Sequence, residues 1–300
     1  MLEFMPIKIE EKEIFDERLE GRDSLACEYC FTNFFIWRNT VDIQRCIVDN
    51  AIFVRGMYLG KRFYFMPIAK KGFMDSSINQ LIEFEGPSLQ ILCGNDQNIA
   101  EVSADVLSKF SIIDDTSKND YLHSSEDLRE LKGKKFHQKR NHVSKFNNKY
   151  EYKFEEMTVE DYDECLKMDE EWQIFKQESV PVTENQTMVK EEKALTCAFR
   201  YFEKLGLKGA VIKIDGKIEA FSIGEIPNKP NKKVGIVHFE KGNIEFDGIF
   251  QAMNQLFSQY AFADVEFINR QDDMGIPGLR KAKQSYNPIT MVKKYILTIN

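Results

Sequence analysis

The sequence predicts an α/β protein with mixed sheets, arranged as two domains. Three observations lead there. The chain is 300 residues long, and domains run to roughly 150 residues each. Apolar alternation with a period of two gives way repeatedly to helical spacing of three and four, the pattern of strands and helices packed in layers. Asp215-Gly216 separates two apolar runs, which signals a hairpin turn. The hydrophobic fraction of 43% is ample for two interiors, and the 24 phenylalanines are read as their filling.

In chain order, residues 6–21 read as a helix, with Pro6 near its start, Ile14, Phe15 and Leu19 apolar, and Gly21 at its end. Phe31 to Trp37 is a dense aromatic run, a buried helix turn or a short strand. Between 41 and 68, Ile43, Cys46, Val48, Ile52, Val54, Phe63 and Phe65 suggest antiparallel strands with turns near Asp49-Asn50 and Gly60-Lys61. A helix at 73–84, a strand at 89–93 and a helix at 95–109 follow. Residues 114–120 read as a polar loop. A helix opens after Ser125 on Glu126 and Asp127, acidic groups that suit a helix start, and it carries on into the basic stretch at 132–149.

Tyr152 and Phe154 suggest a strand, 161–171 a helix ahead of Trp172, and 185–205 a long helix stopped by Gly206. Glu191 and Glu192 lie on that helix, as surface groups or as an inward-facing base. Strands are expected at 209–214, 218–225 and 234–240, with a polar loop over 227–233. A helix follows from about Phe246, and then a short buried strand over 265–268. Pro277 fits the first turn of the helix carrying Leu279, Arg280, Ala282 and Lys283. Residues 288–299 form a last strand or strand pair, expected to complete the sheet of the second domain.

The net charge of −7 excludes a general polyanion binder. Any nucleic-acid contact must then use a local basic patch, and 132–149 supplies one. Lys132, Lys134, Lys135, Lys139, Arg140, Lys145 and Lys149 fall there, with His137 and His142 among them. Lys135, Lys139, Arg140 and His142 are the candidates for binding an anion, be it tRNA phosphate, a lipid head group or a cofactor phosphate. A solvated basic helix joining the domains is the plainer reading. No charged-then-apolar leader is visible at Met1, and no run approaches the roughly 20 apolar residues that cross a bilayer, so a soluble cytoplasmic protein without a transmembrane segment is expected. Of the six cysteines, only Cys27 and Cys30 have metal or redox spacing. No second pair completes a zinc site, so reduced thiols and no structural metal are expected.

Candidate chemistry gathers late in the chain. Asn269, Arg270, Gln271, Asp272 and Asp273 follow a buried strand and precede a helix, as polar groups do in many α/β active sites. His238 and Glu240 share a face of their strand by the period of two, which allows a base beside a carboxylate. Such a site suits transfer of an activated acyl group to an amine or hydroxyl, with a base for the nucleophile's proton and donors for the oxyanion.

Four stretches carry a family resemblance: KGKKFHQKRNHVSKF (132–146), LGLKGAVIKIDGKIEAFSIGE (205–225), HFEKGNIEFDGIFQAMNQ (238–255) and NRQDDMGIPGLRKAKQSYNP (269–288). They resemble the bacterial family related to the phosphatidylglycerol lysyltransferase C-terminal domain. Over 1–119 the likeness is weaker, with YCFTNFFIWRN (29–39) the best match. The resemblance implies two tandem GNAT-like (acyl-CoA N-acyltransferase) domains: 1–119, a basic linking helix at 120–150, and 151–300 carrying the site. It also implies an acyl- or aminoacyltransferase.

Lipid lysyltransferases and the enzymes of peptidoglycan cross-bridges, both in this superfamily, take their group from aminoacyl-tRNA. The acetyl-coenzyme A loop Gln/Arg-x-x-Gly-x-Gly/Ala is absent after the return strand, where Glu240-Lys-Gly-Asn-Ile-Glu-Phe-Asp-Gly stands. Aminoacyl-tRNA is therefore the leading donor and acetyl-CoA the lesser one, with no tightly bound cofactor expected. The acceptor is a small molecule, a peptide or a lipid head group. The lipid-synthesising relatives also carry a membrane-spanning part with no counterpart here, which counts against a lipid.

In the expected site, Arg280 and Lys283, one helical turn apart, hold the reacting carbonyl or a phosphate. Asp272 or Asp273 orients the acceptor, and Tyr286 hydrogen-bonds nearby. The alternatives are an acetyl-CoA-dependent N-acetyltransferase and a non-catalytic protein that binds tRNA or a metabolite.

Overall fold

The computed structural model describes residues 2–300 except 21, 23, 59, 178–181 and 228–232, and leaves out the side chains of 172–190 as well. The Gly21 helix stop, the Trp172 side chain and most of the 227–233 loop lie outside the described residues.

The chain divides into two compact units. The first holds Met1–Asp120, Asp272–Arg280 and Met291–Asn300; the second holds Tyr121–Gln271 and Lys281–Thr290. The division falls inside the helix Pro277–Gln284.

The sheet of the first unit runs Met5–Pro6, Gln44–Val48, Ala51–Tyr58, Lys61–Phe65, Gln90–Gly94, Tyr295–Ile299, Phe110–Asp114, with Ile68–Ala69 paired to Ala51–Tyr58. Lys61–Phe65 lies parallel to Gln90–Gly94. The chain's last strand, Tyr295–Ile299, is antiparallel to both Gln90–Gly94 and Phe110–Asp114. Of the 288–299 pair, Thr290–Val292 joins the second sheet beside Asp120–Ser124 and Tyr295–Ile299 does not, so the expectation holds for the first strand and fails for the last. A strand's own alternation says which face is buried, not which neighbours it joins.

Other local readings also change. The helix foreseen from Pro6 starts later, as Lys12–Leu19, and Met5–Pro6 is an edge strand. The 95–109 helix is two short ones, Asp96–Ile99 and Ala104–Leu107. Asn95 caps the first through the amides of Gln97 and Asn98, and Ser103 caps the second through Val106. Each cap starts a new helix because its oxygen satisfies amides that have no helical partner. The strand Phe110–Asp114 follows, and the 114–120 stretch beyond it includes the start of Asp120–Ser124. Aromatic rings fill this core, with Phe31 stacked on Phe35 and edge-on to Phe15, and Phe34 edge-on to Phe65.

The second sheet has the strand order Thr290–Val292, Asp120–Ser124, Phe267–Asn269, Val234–Gly242, Lys217–Glu225, Lys208–Ile214, Tyr152–Glu156. The Asp215-Gly216 turn joins its central hairpin, and both residues have positive φ (51° and 79°), as a type I′ turn requires. Val234–Gly242 and Phe267–Asn269 are parallel. The helix Ile249–Ala261 buries Ile249, Ala252, Met253, Phe257 and Ala261. With Leu128, Phe136, Phe146, Ile212 and Phe262 they form one core.

Gly248, at φ 92°, opens that helix, and a Cβ there would lie 2.6 Å from the His142 carbonyl oxygen. Only glycine lets the helix start so close to the backbone of His137–Lys149. The expected continuous helix from 125 is broken. Ser125–Glu130 ends on Leu131 in the left-handed region at φ 49°, and the basic helix starts afresh at His137.

Candidate active site

The site is assembled at the end of Phe267–Asn269, beside the parallel strand Val234–Gly242, which runs on past that end and carries Glu240. The Arg270 amide donates to the Tyr121 carbonyl (3.0 Å), and the Tyr121 amide donates to the Gln271 carbonyl (3.1 Å). The buried Asn269 side chain accepts from the Gln271 amide at 2.6 Å, and Gln271 turns the chain at φ 58°. Arg270 is thereby fixed in backbone position. Its Nη2 donates to Glu240 Oε1 at 2.7 Å, with both side chains close to nine-tenths buried. Asn254, from Ile249–Ala261, donates to the other carboxylate oxygen at 3.2 Å. The guanidinium lies over the Tyr286 ring at 4.9 Å, and the Lys139 ammonium lies over the same ring at 3.9 Å. Lys139 also donates to Ser285 Oγ at 2.6 Å. The His123 ring meets Tyr286 edge-on at 6.4 Å.

Two of these groups remain unsatisfied. Among the described residues, Arg270 Nη1 and Asn254 Oδ1 are buried with no hydrogen-bond partner. Buried polar atoms are nearly always paired, so a cluster of such atoms calls for a ligand or water. The cluster also moves proton affinities. Burial first, then Arg270, lowers the Lys139 ammonium to about 8, with Glu240 opposing. Burial pushes the Tyr286 phenol upward, Arg270 opposing and Glu240 adding. Burial and then Arg270 hold the His123 imidazole down at about 3.

The His123 shift has a measurable consequence. The unfolded chain takes up that proton near 6.5, while the folded protein refuses it until about 3. Stability is therefore full above that window and falls as pH drops through it, by about 1.4 kcal/mol per pH unit. Urea unfolding at pH 7 and about pH 5 should show a loss of roughly 2 kcal/mol from this group, reduced in His123→Phe. Equal pH slopes in the two proteins would contradict it.

The expected site residues are brought together only in part. Glu240, Tyr286, Lys139 and Lys283 converge; Lys283 donates to the Arg270 carbonyl at 2.6 Å and so steadies the arginine. Arg280 turns elsewhere, making a two-point contact with Asp273 at 2.9 and 3.2 Å inside the first unit. Asp273 also accepts from the Gly275 amide at 2.8 Å. Asp272 accepts from the Met274 amide at 2.9 Å and pairs with Lys118 at 3.6 Å. Both aspartates thus shape the turn into Pro277–Gln284. His238 does not pair with Glu240: it meets Glu225 of the adjacent strand at 2.9 Å. A register shift between Ile223 and Gly224 changes its neighbours, which period-two reasoning does not anticipate.

Of the anion-binding candidates, Lys135 pairs with Asp127 at 2.6 Å. Arg140 donates to the carbonyls of Leu131 and, at 2.7 Å, Gly133, and His142 is exposed. Exposed Lys132, Lys134, Lys145 and Lys149 line the same segment. Glu191, weighed as a surface group or a base, instead holds the buried Lys241 at 2.8 Å, with Asp169 at 3.0 Å from the same ammonium.

Sequence reasoning missed Arg270, Asn254 and His123. Arg270 stood in the polar break that was singled out, and Asn254 is a polar residue on an otherwise apolar helix face. His123 gave no signal. In the first unit, Cys27, Glu28 and Asp120 lie close enough to hold a metal ion. The Lys294 ammonium sits among them instead, on Glu28 and, at 3.0 Å, on Asp120. Both motif cysteines are free thiols.

The two units are of the tandem GNAT-like class of fold. The family described as phosphatidylglycerol lysyltransferase, C-terminal, matches residues 21–298, and the chain belongs to it. A conserved protein of unknown function from Bacteroides thetaiotaomicron is 30% identical over 100% of both chains, with TM-score 0.90. The C-terminal domain of a putative lysylphosphatidylglycerol synthetase from Agrobacterium fabrum is 16% identical, covering 97% of this chain and 91% of that one, with TM-score 0.68. FemX shares the fold at 9% identity over 100% and 98% of the two chains, with TM-score 0.64. No curated protein gives a match. No helix among the described residues is long and apolar enough to cross a membrane.

Proposed function

We propose that the protein transfers an aminoacyl group from aminoacyl-tRNA to an amine or hydroxyl acceptor, using the Glu240–Arg270–Asn254 cluster. The observation that carries this reading is the pair of unsatisfied atoms flanking Glu240. Asn254 Oδ1 lacks a donor and Arg270 Nη1 lacks an acceptor. An aminoacyl ester offers both, since its α-ammonium suits Asn254 Oδ1 and the Glu240 carboxylate, and its carbonyl suits Arg270 Nη1. An acetyl group supplies only the carbonyl.

As the acceptor attacks, negative charge grows on the carbonyl oxygen, and a donor held in place by Glu240 stabilises it without reorganising. Lys139, lowered to about 8, exchanges a proton close to neutral pH and suits the acceptor's proton. The ester C–O bond then breaks, and the tRNA hydroxyl leaves with a proton. The exposed lysines of 132–149 suit the tRNA backbone.

The loop after Val234–Gly242 also argues against acetyl-CoA. Its amides are engaged locally: Glu245 donates to the Asn243 side chain at 3.0 Å, Phe246 to the Asn243 carbonyl at 3.2 Å, and Ile249 to the Phe246 carbonyl at 3.1 Å. A pyrophosphate needs such amides free.

Lysyl-tRNA, suggested by the family description, is the first donor to test. Binding to the folded state raises apparent stability. Lysyl-tRNA should therefore raise the melting temperature, N-acetyl-lysyl-tRNA and uncharged tRNA less so, and acetyl-CoA not at all. Stabilisation by acetyl-CoA alone would favour the N-acetyltransferase reading.

A further inference from the structure

The exposed edges of the two sheets are not alike. In the first unit, Met5–Pro6 is two residues long and carries proline, which blocks further pairing. In the second, the outer strand Tyr152–Glu156 carries Lys153, Glu155 and Glu156, charges of the kind that discourage pairing. Phe110–Asp114 ends the first unit's sheet with a single charge, Asp114, at its last position. Its only described strand neighbour is Tyr295–Ile299. Ser111 to Asp114 are all exposed, Ile112 at 41% and Ile113 at 57%. No proline or register shift interrupts its pairing. An apolar, regular, open strand edge is a template for another strand.

We propose that two copies of this chain form a symmetric homodimer by antiparallel pairing of their Phe110–Asp114 strands, centred on Ile112. The two-fold axis of such a pair is perpendicular to the sheet and keeps each residue on its own face. Opposed residues must then be an even number of positions apart, because side chains alternate. Centring on Ser111 sets Lys109 against Ile113. Centring on Ile113 sets Ile112 against Asp114. Centring on Ile112 sets Lys109 against Asp115 twice, Phe110 against Asp114 twice, Ile112 against itself and Ser111 against Ile113. Only the last of these three opposes the lysine with a carboxylate while joining the exposed isoleucines, and cross-strand pairs of that kind are stabilising. The residues 109–115, KFSIIDD, thus match at their outer charges and at their centre when read antiparallel.

Light scattering after size exclusion, over a roughly hundredfold concentration range, reads the outcome by mass action. The wild-type chain should pass from monomer to dimer as concentration rises. Ile113→Lys should remain monomeric throughout with an unchanged melting temperature, since its side chain is exposed. Lys109→Glu and Asp115→Lys should each weaken the dimer alone, by opposing like charges. Mixed together, the two variants should restore it, because both pairs then join opposite charges. A monomeric wild type at every concentration, or a dimer untouched by Ile113→Lys, would overturn the proposal. A mixture no better than its components would overturn the Ile112-centred register.

Discussion

Arg270→Met is expected to remove aminoacyl transfer and to destabilise the protein by about 3–5 kcal/mol, the usual cost of stranding one partner of a buried ion pair. Glu240 and Arg270 are both close to nine-tenths buried and 2.7 Å apart. Without the guanidinium, the carboxylate keeps only the Asn254 amide. The double variant Arg270→Met with Glu240→Gln removes both charges and should recover most of the lost stability. It should not recover transfer, because the group proposed to face the developing oxyanion is gone. That split separates the structural role of the pair from its chemical one. If Arg270→Met transferred at the wild-type rate, the cluster would be a structural network and the proposed role would fall.

Lys294→Met should have an effect of similar size in the first unit, again about 3–5 kcal/mol, and none on the chemistry itself. The Lys294 ammonium is buried on Glu28 and Asp120, and Asp120 also accepts from the Cys27 amide at 2.9 Å. Burial already raises the Glu28 carboxyl, with Lys294 opposing. Losing the ammonium raises it further. A carboxyl whose folded value lies above its unfolded one favours folding at low pH and loses that advantage as pH rises through the folded value. The deficit of Lys294→Met should therefore be largest at neutral pH and should shrink on acidification. Denaturant titrations of both proteins across that range measure it. A constant deficit would mean that lost packing, not stranded charge, sets the cost.

These experiments bear on residues of unequal legibility. Local chemistry was readable where it depended on neighbours in sequence. The Asp215-Gly216 hairpin, the Gly206 stop and the Pro277 helix start follow from backbone preferences within a few positions. The polar break after Phe267–Asn269 was also visible, and the site lies there. Which of its side chains act together was not visible. Arg280 and Lys283 are a turn apart on one helix, yet one serves Asp273 and the other the Arg270 carbonyl. Lys139 was expected among the anion-binding groups of the basic helix, and the structure turns it onto Tyr286.

The sequence by itself determined the α/β class, the family and the places where polar chemistry interrupts apolar strands, because periodicity and turn residues act over short range. Tertiary structure alone decided that Tyr295–Ile299 returns to the first sheet, that His238 faces Glu225, and that Glu240 is held between Arg270 and Asn254. Strand partners and buried charge pairs are chosen by the free energy of the whole packed arrangement. Residues 30 positions apart meet only once that arrangement exists.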